Sequence, residues 1–158
     1  MSDFVHLHVH SEYSMLDGLG KIDKLIAKTQ EQGQKALALT DHGGMYGAVH
    51  FYNACKKAGI KPIVGVEAYF AAESRFNKQT KQGTDQFHLT LLAMNHAGYV
   101  NLMHLVSYAN LEGFSYKPRI DFELLEKYSQ DIIVLSGCAS SIFGKLIREG
   151  QIKQAKTW

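Results

Sequence analysis

The chain has few of the residues that punctuate or staple a polypeptide: two prolines, two cysteines and a single tryptophan in 158 residues. With so little proline, and with no internal repeat or low-complexity tract, no stretch reads as an interdomain linker. The length is that of one domain with a sizeable core. Cys55 and Cys138 form no C-x-x-C pair, which argues against a cysteine-built zinc site and a disulfide framework; both are expected to be buried thiols. A net charge of +2, with histidine neutral, is too small for nucleic-acid binding by bulk electrostatics, so any DNA contact has to be local. No apolar run approaches the length of a bilayer span, and Met1-Ser2-Asp3-Phe4 has neither a basic nor an apolar leader region. The expectation is a cytoplasmic protein without membrane contact.

Histidine, by contrast, is abundant, with eight in the chain. Three of them alternate in His6-Leu7-His8-Val9-His10-Ser11, with a carboxylate following at Asp17. On a strand, successive side chains point to opposite faces, so His6, His8 and His10 line one side while Val5, Leu7 and Val9 pack on the other. His8 and His10 then stand roughly 7 Å apart along the strand, close enough to converge on one ion or on two ions about 3.5 to 4 Å apart. The same alternation would also suit the polar face of an ordinary half-exposed strand. What favours the metal reading is that Asp41-His42, Glu67 and His88 each stand at an end of another apolar, strand-like segment.

In chain order, strands are expected at Phe4 to His10, Lys35 to Thr40, Pro62 to Phe70, Phe87 to Ala93 and Asp131 to Ser136. Helices are expected at Lys21 to Gln32, at Tyr46 to Ala58 with Tyr46, Val49 and Ala54 on the apolar side, and at Ala97 to Leu111. Further helices are expected around Phe122 to Tyr128, from a Ser140 or Ser141 cap through Arg148, and from Gln151 onward. Residues 71 to 86 are polar, without sustained period, and read as a surface excursion. Strands alternating with helices at short spacing predict an α/β fold of parallel βαβ units. The last helix reaches Trp158 without a stop signal, so the sequence reads as one incomplete domain, part of a longer chain.

In parallel α/β folds functional groups gather at the carboxyl ends of the strands. His10, His42 and Glu67 obey that rule, while His88, near the start of its strand, obeys it only if the excursion delivers it to the same mouth. Imidazoles and carboxylates together suit zinc, manganese or iron, and Glu67 or Asp17 could bridge two ions. Such ions would supply hydroxide at neutral pH and neutralise charge on a phosphate, so no separate protein nucleophile is needed. No serine lies in a G-x-S-x-G elbow, which disfavours a Ser-His-Asp hydrolase. Gly43-Gly44-Met45-Tyr46-Gly47 reads as a turn more readily than as a phosphate cradle. His50, His96 and His104 read as surface or packing residues. His6 and Asp41 read as groups that orient ligands.

The blocks FVHLHVHSEYSMLDG, ALTDHGGMYGAVHFY, GIKPIVGVEAYFAAESRF, FHLTLLAMN, GYVNLMHLVSYANLEGF, KPRID and VLSGC carry a family resemblance. The chain resembles the polymerase-and-histidinol-phosphatase (PHP) superfamily of metal-dependent phosphoesterases, and within it the PHP domains at the N-termini of bacterial DNA polymerase III alpha subunits. The resemblance implies a distorted TIM-like (βα)7 barrel, with residues 1–158 as its N-terminal portion, lacking palm, fingers and thumb. It implies up to three divalent ions (zinc or manganese, with magnesium an option) on nine ligands. Carried over by position, His8, His10, Asp17, His42, Glu67 and His88 are six of these, the others falling beyond Trp158. The implied activity is a metal-dependent 3'-5' exonuclease with proofreading chemistry inside a DNA-directed DNA polymerase, a nucleotidyltransferase of DNA replication. The implied partners are primer-template DNA and other replisome subunits, among them a proofreading exonuclease subunit. Arg75, Lys78, Lys81 and Arg119 are the candidate phosphate contacts, set against a reading of them as solvated loop charge. Two other readings stay open: a non-catalytic platform for the proofreading subunit, and a stand-alone phosphatase.

Overall fold

A computed structural model describes residues 4–15, 17–78 and 86–157. Leucine, isoleucine and threonine at three-to-four spacing bury one face of α1 (Ile22–Glu31) through Ile22, Ile26 and Thr29. Strand β1 (Ala36–Leu39) is buried throughout. Helix α2 (Ala48–Ala58) ends at Gly59, whose φ of 71° is the left-handed conformation that glycine takes without strain. The buried face of α2 is Ala48, Phe51 and Cys55, not the expected stripe. Tyr46 precedes the helix and Val49 is 65% exposed, because the i, i+3, i+7 set that meets α1 and β1 starts at Ala48. These residues form one core: Ile22, Ile26, Leu37, Leu39, Phe51, Cys55 and Ile60.

The ten-residue β2 (Lys61–Phe70) is the axis of the sheet. It pairs in parallel with β1 along its first half and with the two-residue β4 (Arg119–Ile120) at its far end. Its other edge carries β3 (Phe87–Ala93), and β3 in turn carries β5 (Ile132–Leu135), both pairings antiparallel. The sheet is therefore mixed. Only β3 runs against the rest, which corrects the expectation of an all-parallel βαβ series. The physical reason lies in the connection: a parallel neighbour needs a crossover of a dozen or more residues, usually helical, whereas the polar excursion between β2 and β3 has no helical period. The α/β fold with this mixed sheet is consistent with a partial TIM-like barrel. Its outer strands, β1 and β5, are not paired with each other among the described residues.

Alternation divides β2. Val66, Ala68 and Phe70 join Leu89 and Leu91 of β3 in a second core, covered by Leu102, Leu105 and Ala109 of α3 (His96–Leu111) and by Leu124 of α4 (Phe122–Lys127). Gly65, Glu67 and Tyr69 therefore point to the opposite face. Helix α3 is capped by Asn95, which accepts from Gly98 N–H, and α4 by Asp121, which accepts from Leu124 N–H. Of the two serines expected to cap α5 (Ile142–Arg148), Ser141 does so, accepting from Gly144 N–H. The last helix, α6 (Ile152–Ala155), is a single turn.

The N-terminal stretch is extended but is not a regular strand. Ala38 N–H donates to His6 O at 3.0 Å and Thr40 N–H to Val9 O at 2.8 Å, so three residues on one side oppose two on the other and the ladder slips by one. The Thr40 hydroxyl accommodates the slip by bonding both Val9 N–H and Val9 O, at 3.0 and 3.2 Å. Val9 packs on the core of α1, α2 and β1, while Leu7, expected inside, is 39% exposed.

Candidate metal centre

The reversal of β3 accounts for the one histidine that broke the strand-end rule. His88 pairs with Tyr69 near the end of β2, so the start of an antiparallel strand comes to the same mouth as the ends of its parallel neighbours. Diagonally across that pair, His88 Nδ1 lies 3.1 Å from Glu67 Oε1. From the N-terminal stretch, His8 Nε2 and His10 Nε2 approach the other oxygen, Oε2, at 2.9 and 2.6 Å. The two imidazole nitrogens are 3.3 Å apart, about the separation of neighbouring ligands around an ion with bonds of 2.0–2.1 Å. His42 enters from the loop after β1, its backbone tied into β2 by Gly43 N–H to Glu67 O at 2.8 Å and Glu67 N–H to Asp41 O at 3.2 Å. Gly43 has φ 70°, and a Cβ there would stand 3.0 Å from the Tyr69 ring and 3.3 Å from Pro118. With its amide bonded to Glu67, this glycine makes a turn and cradles no phosphate.

Two triads result, His8-His10-Glu67 and His42-Glu67-His88, each with donor atoms within 4.8 Å of one another and both sharing Glu67. The donor chemistry fits divalent metal, and one further observation supports the fit: His42 Nε2 is buried with no hydrogen-bond partner among the described residues. Asp17, expected as a ligand, stands on the Nδ1 side of two rings, with Oδ2 at 2.7 Å from His42 Nδ1 and 3.3 Å from His10 Nδ1. That position suits either role of a carboxylate in such a cluster, binding an ion beside the two imidazoles or orienting their rings from behind. Ser14 secures it, donating its hydroxyl to Asp17 and accepting from His42 N–H at 3.0 Å. Tyr69 stacks on His42 with centroids 4.1 Å apart and meets His88 edge-on at 5.4 Å.

The electrostatics follow from this crowding. Burial alone would raise the Glu67 carboxyl, but hydrogen bonds from His10, His88 and His8 outweigh it and hold the group far below the ordinary carboxylate range. The same carboxylate raises His10 and His88 against their own burial. His42 is lowered, chiefly by burial, which favours the neutral imidazole a metal needs. Hydrogen bonds from Ser14 and His42 lower Asp17 despite burial.

Several expectations are corrected here. His6 is exposed, packs edge-on against Phe4 at 4.8 Å and does not join the cluster. Asp41 orients Ser11, accepting from its N–H at 2.6 Å and its hydroxyl at 2.9 Å, and leaves the His42 ring to Asp17. Arg75 and Arg119 present no charge to DNA, being only 6% and 0% exposed. Arg75 is taken up by Asp121 and Glu112, at 2.9 and 2.8 Å, and Arg119 by the carbonyls of Gly113 and Asn77, at 3.2 and 2.7 Å. A guanidinium removed from water needs such partners, and here they come from the cap of α4 (Asp121), the end of α3 and the loop after it (Glu112 and Gly113) and the excursion (Asn77). Lys78 is spent on the carbonyls of Glu112 and Phe114, and Lys81 lies outside the described residues. Cys55 is buried as expected, but Cys138 is exposed. Its sulfur lies 3.9 Å from His88 Nδ1, a neighbour 50 residues away that the spacing of the cysteines could not disclose. Partial desolvation would raise its thiol, but the Ser140 N–H and His88 outweigh that and lower it. His50 reaches toward Asp23 at 3.7 Å and His104 stacks on Tyr128 at 4.9 Å, both away from the cluster.

The family model of the PHP domain matches residues 6–158. The chain belongs to the PHP domain family. Among curated relatives, this PHP domain is 50% identical over 156 residues to the DNA polymerase III subunit alpha of Borreliella burgdorferi, covering 98% of the chain and 14% of that protein. It is 46% identical over 162 residues to the subunit of the same name from Aquifex aeolicus, covering 99% and 14%. With that of Thermus aquaticus the identity is 46% over 157 residues, covering 97% and 13%. The chain thus spans about one seventh of the length of these relatives. Among the described residues, no helix is long and apolar enough to cross a membrane.

Proposed function

We propose that this PHP domain is the N-terminal domain of a bacterial replicative DNA polymerase alpha subunit, working in the cytoplasm on primer-template DNA beside other replisome subunits. Within it, the histidine cluster is a metal-dependent phosphoesterase centre that trims primer 3' ends. Identity of 46–50% over nearly the whole chain supports the first part. The observation that carries the second is the Glu67 carboxylate, with His8 and His10 at one oxygen and His88 at the other. His8, His10 and Glu67 would hold one ion and His42, Glu67 and His88 another, with the exposed Cys138 thiol next to His88. Nitrogen donors around a bridging carboxylate suit zinc or manganese better than magnesium, which prefers an all-oxygen shell. Divalent ions so held would lower the pKa of a water and neutralise charge on a phosphate.

The chain's own residues have distinct tasks. Glu67 stays ionised and joins the two donor sets. Asp17, secured by Ser14, fixes the ring orientations of His10 and His42. Tyr69 packs against both His42 and His88 and lines the solvent-facing cleft together with them. The full-length protein should contain transition metal by elemental analysis and shorten a primer from its 3' end, and His8→Ala with His10→Ala should abolish both. Undiminished exonuclease activity in that double variant overturns the reading. A metal-free wild type with chelator-insensitive stability would leave a platform for a separate proofreading subunit as the domain's role.

A further inference from the structure

The cleft beside the cluster has a volume of about 780 Å³ and is walled in part by Glu12, Asp17, His42, Tyr69, His88 and Lys117. Its charged lining is otherwise acidic: Lys117 is the one lysine or arginine among the described residues that line it. Unlike Arg75, Arg119 and Lys78, it has no carboxylate or carbonyl partner for its ammonium among the described residues; the side-chain group it interacts with there is the Tyr69 hydroxyl. Its Nζ stands 5.3 Å from the centroid of the Tyr69 ring, the same ring that stacks on His42 and abuts His88. The loop that carries it is held in place. Ser115 N–H donates to Lys117 O at 3.0 Å, Lys78 Nζ to Phe114 O at 2.8 Å and Arg119 Nε to Gly113 O at 3.2 Å. Tyr116 completes the turn at φ 59°.

From this placement, and resting on the phosphoesterase reading above, we propose that Lys117 binds a non-bridging oxygen of the substrate's phosphate group. A phosphate entering this cleft meets the carboxylates of Glu12 and Asp17, and a fixed ammonium one ring away from His42 and His88 offsets that repulsion. Lysine serves such a purpose as a compact point charge with three donors. The rings of Tyr13, Tyr46 and Phe114, 39%, 72% and 54% exposed, line the same cleft. They suit a phosphate that arrives attached to a base, since bases stack on aromatic faces without regard to sequence. Lys117 is thus a binding residue for a nucleotidyl phosphate.

The test is amine acetylation of the full-length protein in manganese, mapped by mass spectrometry, with and without thymidine 5'-monophosphate. Labelling of Lys117 should slow severalfold while that of Lys28, a surface lysine paired with Glu31, stays unchanged; equal labelling of Lys117 in both conditions overturns the proposal. Independently, Lys117→Met should raise KM for a thymidine p-nitrophenyl phosphodiester about tenfold. It should leave kcat within about twofold and the metal content intact, and Lys117→Arg should restore most of the loss. An unchanged KM in Lys117→Met also overturns the proposal. A wild type that binds no metal sinks the phosphoesterase reading, and the acetylation result still decides the role of Lys117.

Discussion

A carboxylate buried to the extent of Glu67, 3% exposed, ordinarily keeps its proton, because burial penalises the charged form. Three imidazoles reverse that, and the reversal gives the metal-free protein a pH signature. The Glu67 carboxyl, lowered from its ordinary 4.5, contributes stability above pH 4.5 that is lost as pH falls toward its folded value. His10 and His88, raised from 6.5, contribute stability below pH 6.5 that is lost as pH rises through their folded values. With chelator present, hydrogen exchange at the β2 amides around Glu67 should therefore be slowest, after correction for intrinsic rates, between about pH 4.5 and 6.5. Added manganese or zinc should reverse the upper limb, since ions need neutral imidazoles, and its protection should grow from pH 6 to pH 8. Glu67→Gln should flatten the window and cost about 1.5–3 kcal/mol of local stability in chelator. At this scale His8 and His10 were legible because alternation puts them on one face. The burial of Arg75 was not, since its partner Asp121 lies 46 residues away and a charge in a polar stretch reads as solvated. Lys117 gave no signal, because its meaning depends on a loop fold.

The clasp between the excursion and the start of α4 works at the level of elements. Asp121 caps α4, accepts Arg75 N–H at 2.9 Å and pairs with the Arg75 guanidinium, all while 2% exposed. Removing one member of a buried ion pair strands the other, so Asp121→Ala should cost about 3–5 kcal/mol, well above the ~1 kcal/mol of a helix cap alone. Chemical denaturation should show this as a lower midpoint, and in hydrogen exchange the loss should centre on residues 71–78 and α4. Arg75→Met with Asp121→Leu should recover part of it; a double variant no better than Asp121→Ala would mean that the cap and backbone bonds, not the ion pair, hold the clasp. The extents of β2, β3 and α3 were readable from period and capping residues to within a residue. The direction of β3 was not carried by its apolar pattern, which is the same in either sense. The excursion before it, polar and without a helical period in its sequence, held that information, and the two-residue β4 has too few side chains to show any period.

At the scale of the molecule, β5 is the strand whose sequence asks for more cover than it receives. Ile-Ile-Val-Leu is the continuous apolar run of a strand buried on both faces, as Ala-Leu-Ala-Leu is in β1, where every residue is buried. In β5 Ile133 and Val134, on opposite faces, remain 45% and 44% exposed. Among the described residues only one edge of β5 is paired, with β3, so an unpaired backbone edge and apolar surface on both faces coincide, the combination that templates association. The isolated 158-residue polypeptide should therefore self-associate and bind a hydrophobic dye such as ANS, with Ile133→Lys and Val134→Lys reducing both. In the full-length subunit that the proposed function calls for, the β5 amides should be among the slowly exchanging ones. Sedimentation velocity on the isolated chain, and hydrogen exchange on the full-length protein, measure these two outcomes. A monomeric isolated chain that melts cooperatively would show that the exposed faces of β5 are tolerated as they stand, and that the fold needs nothing beyond its own two cores.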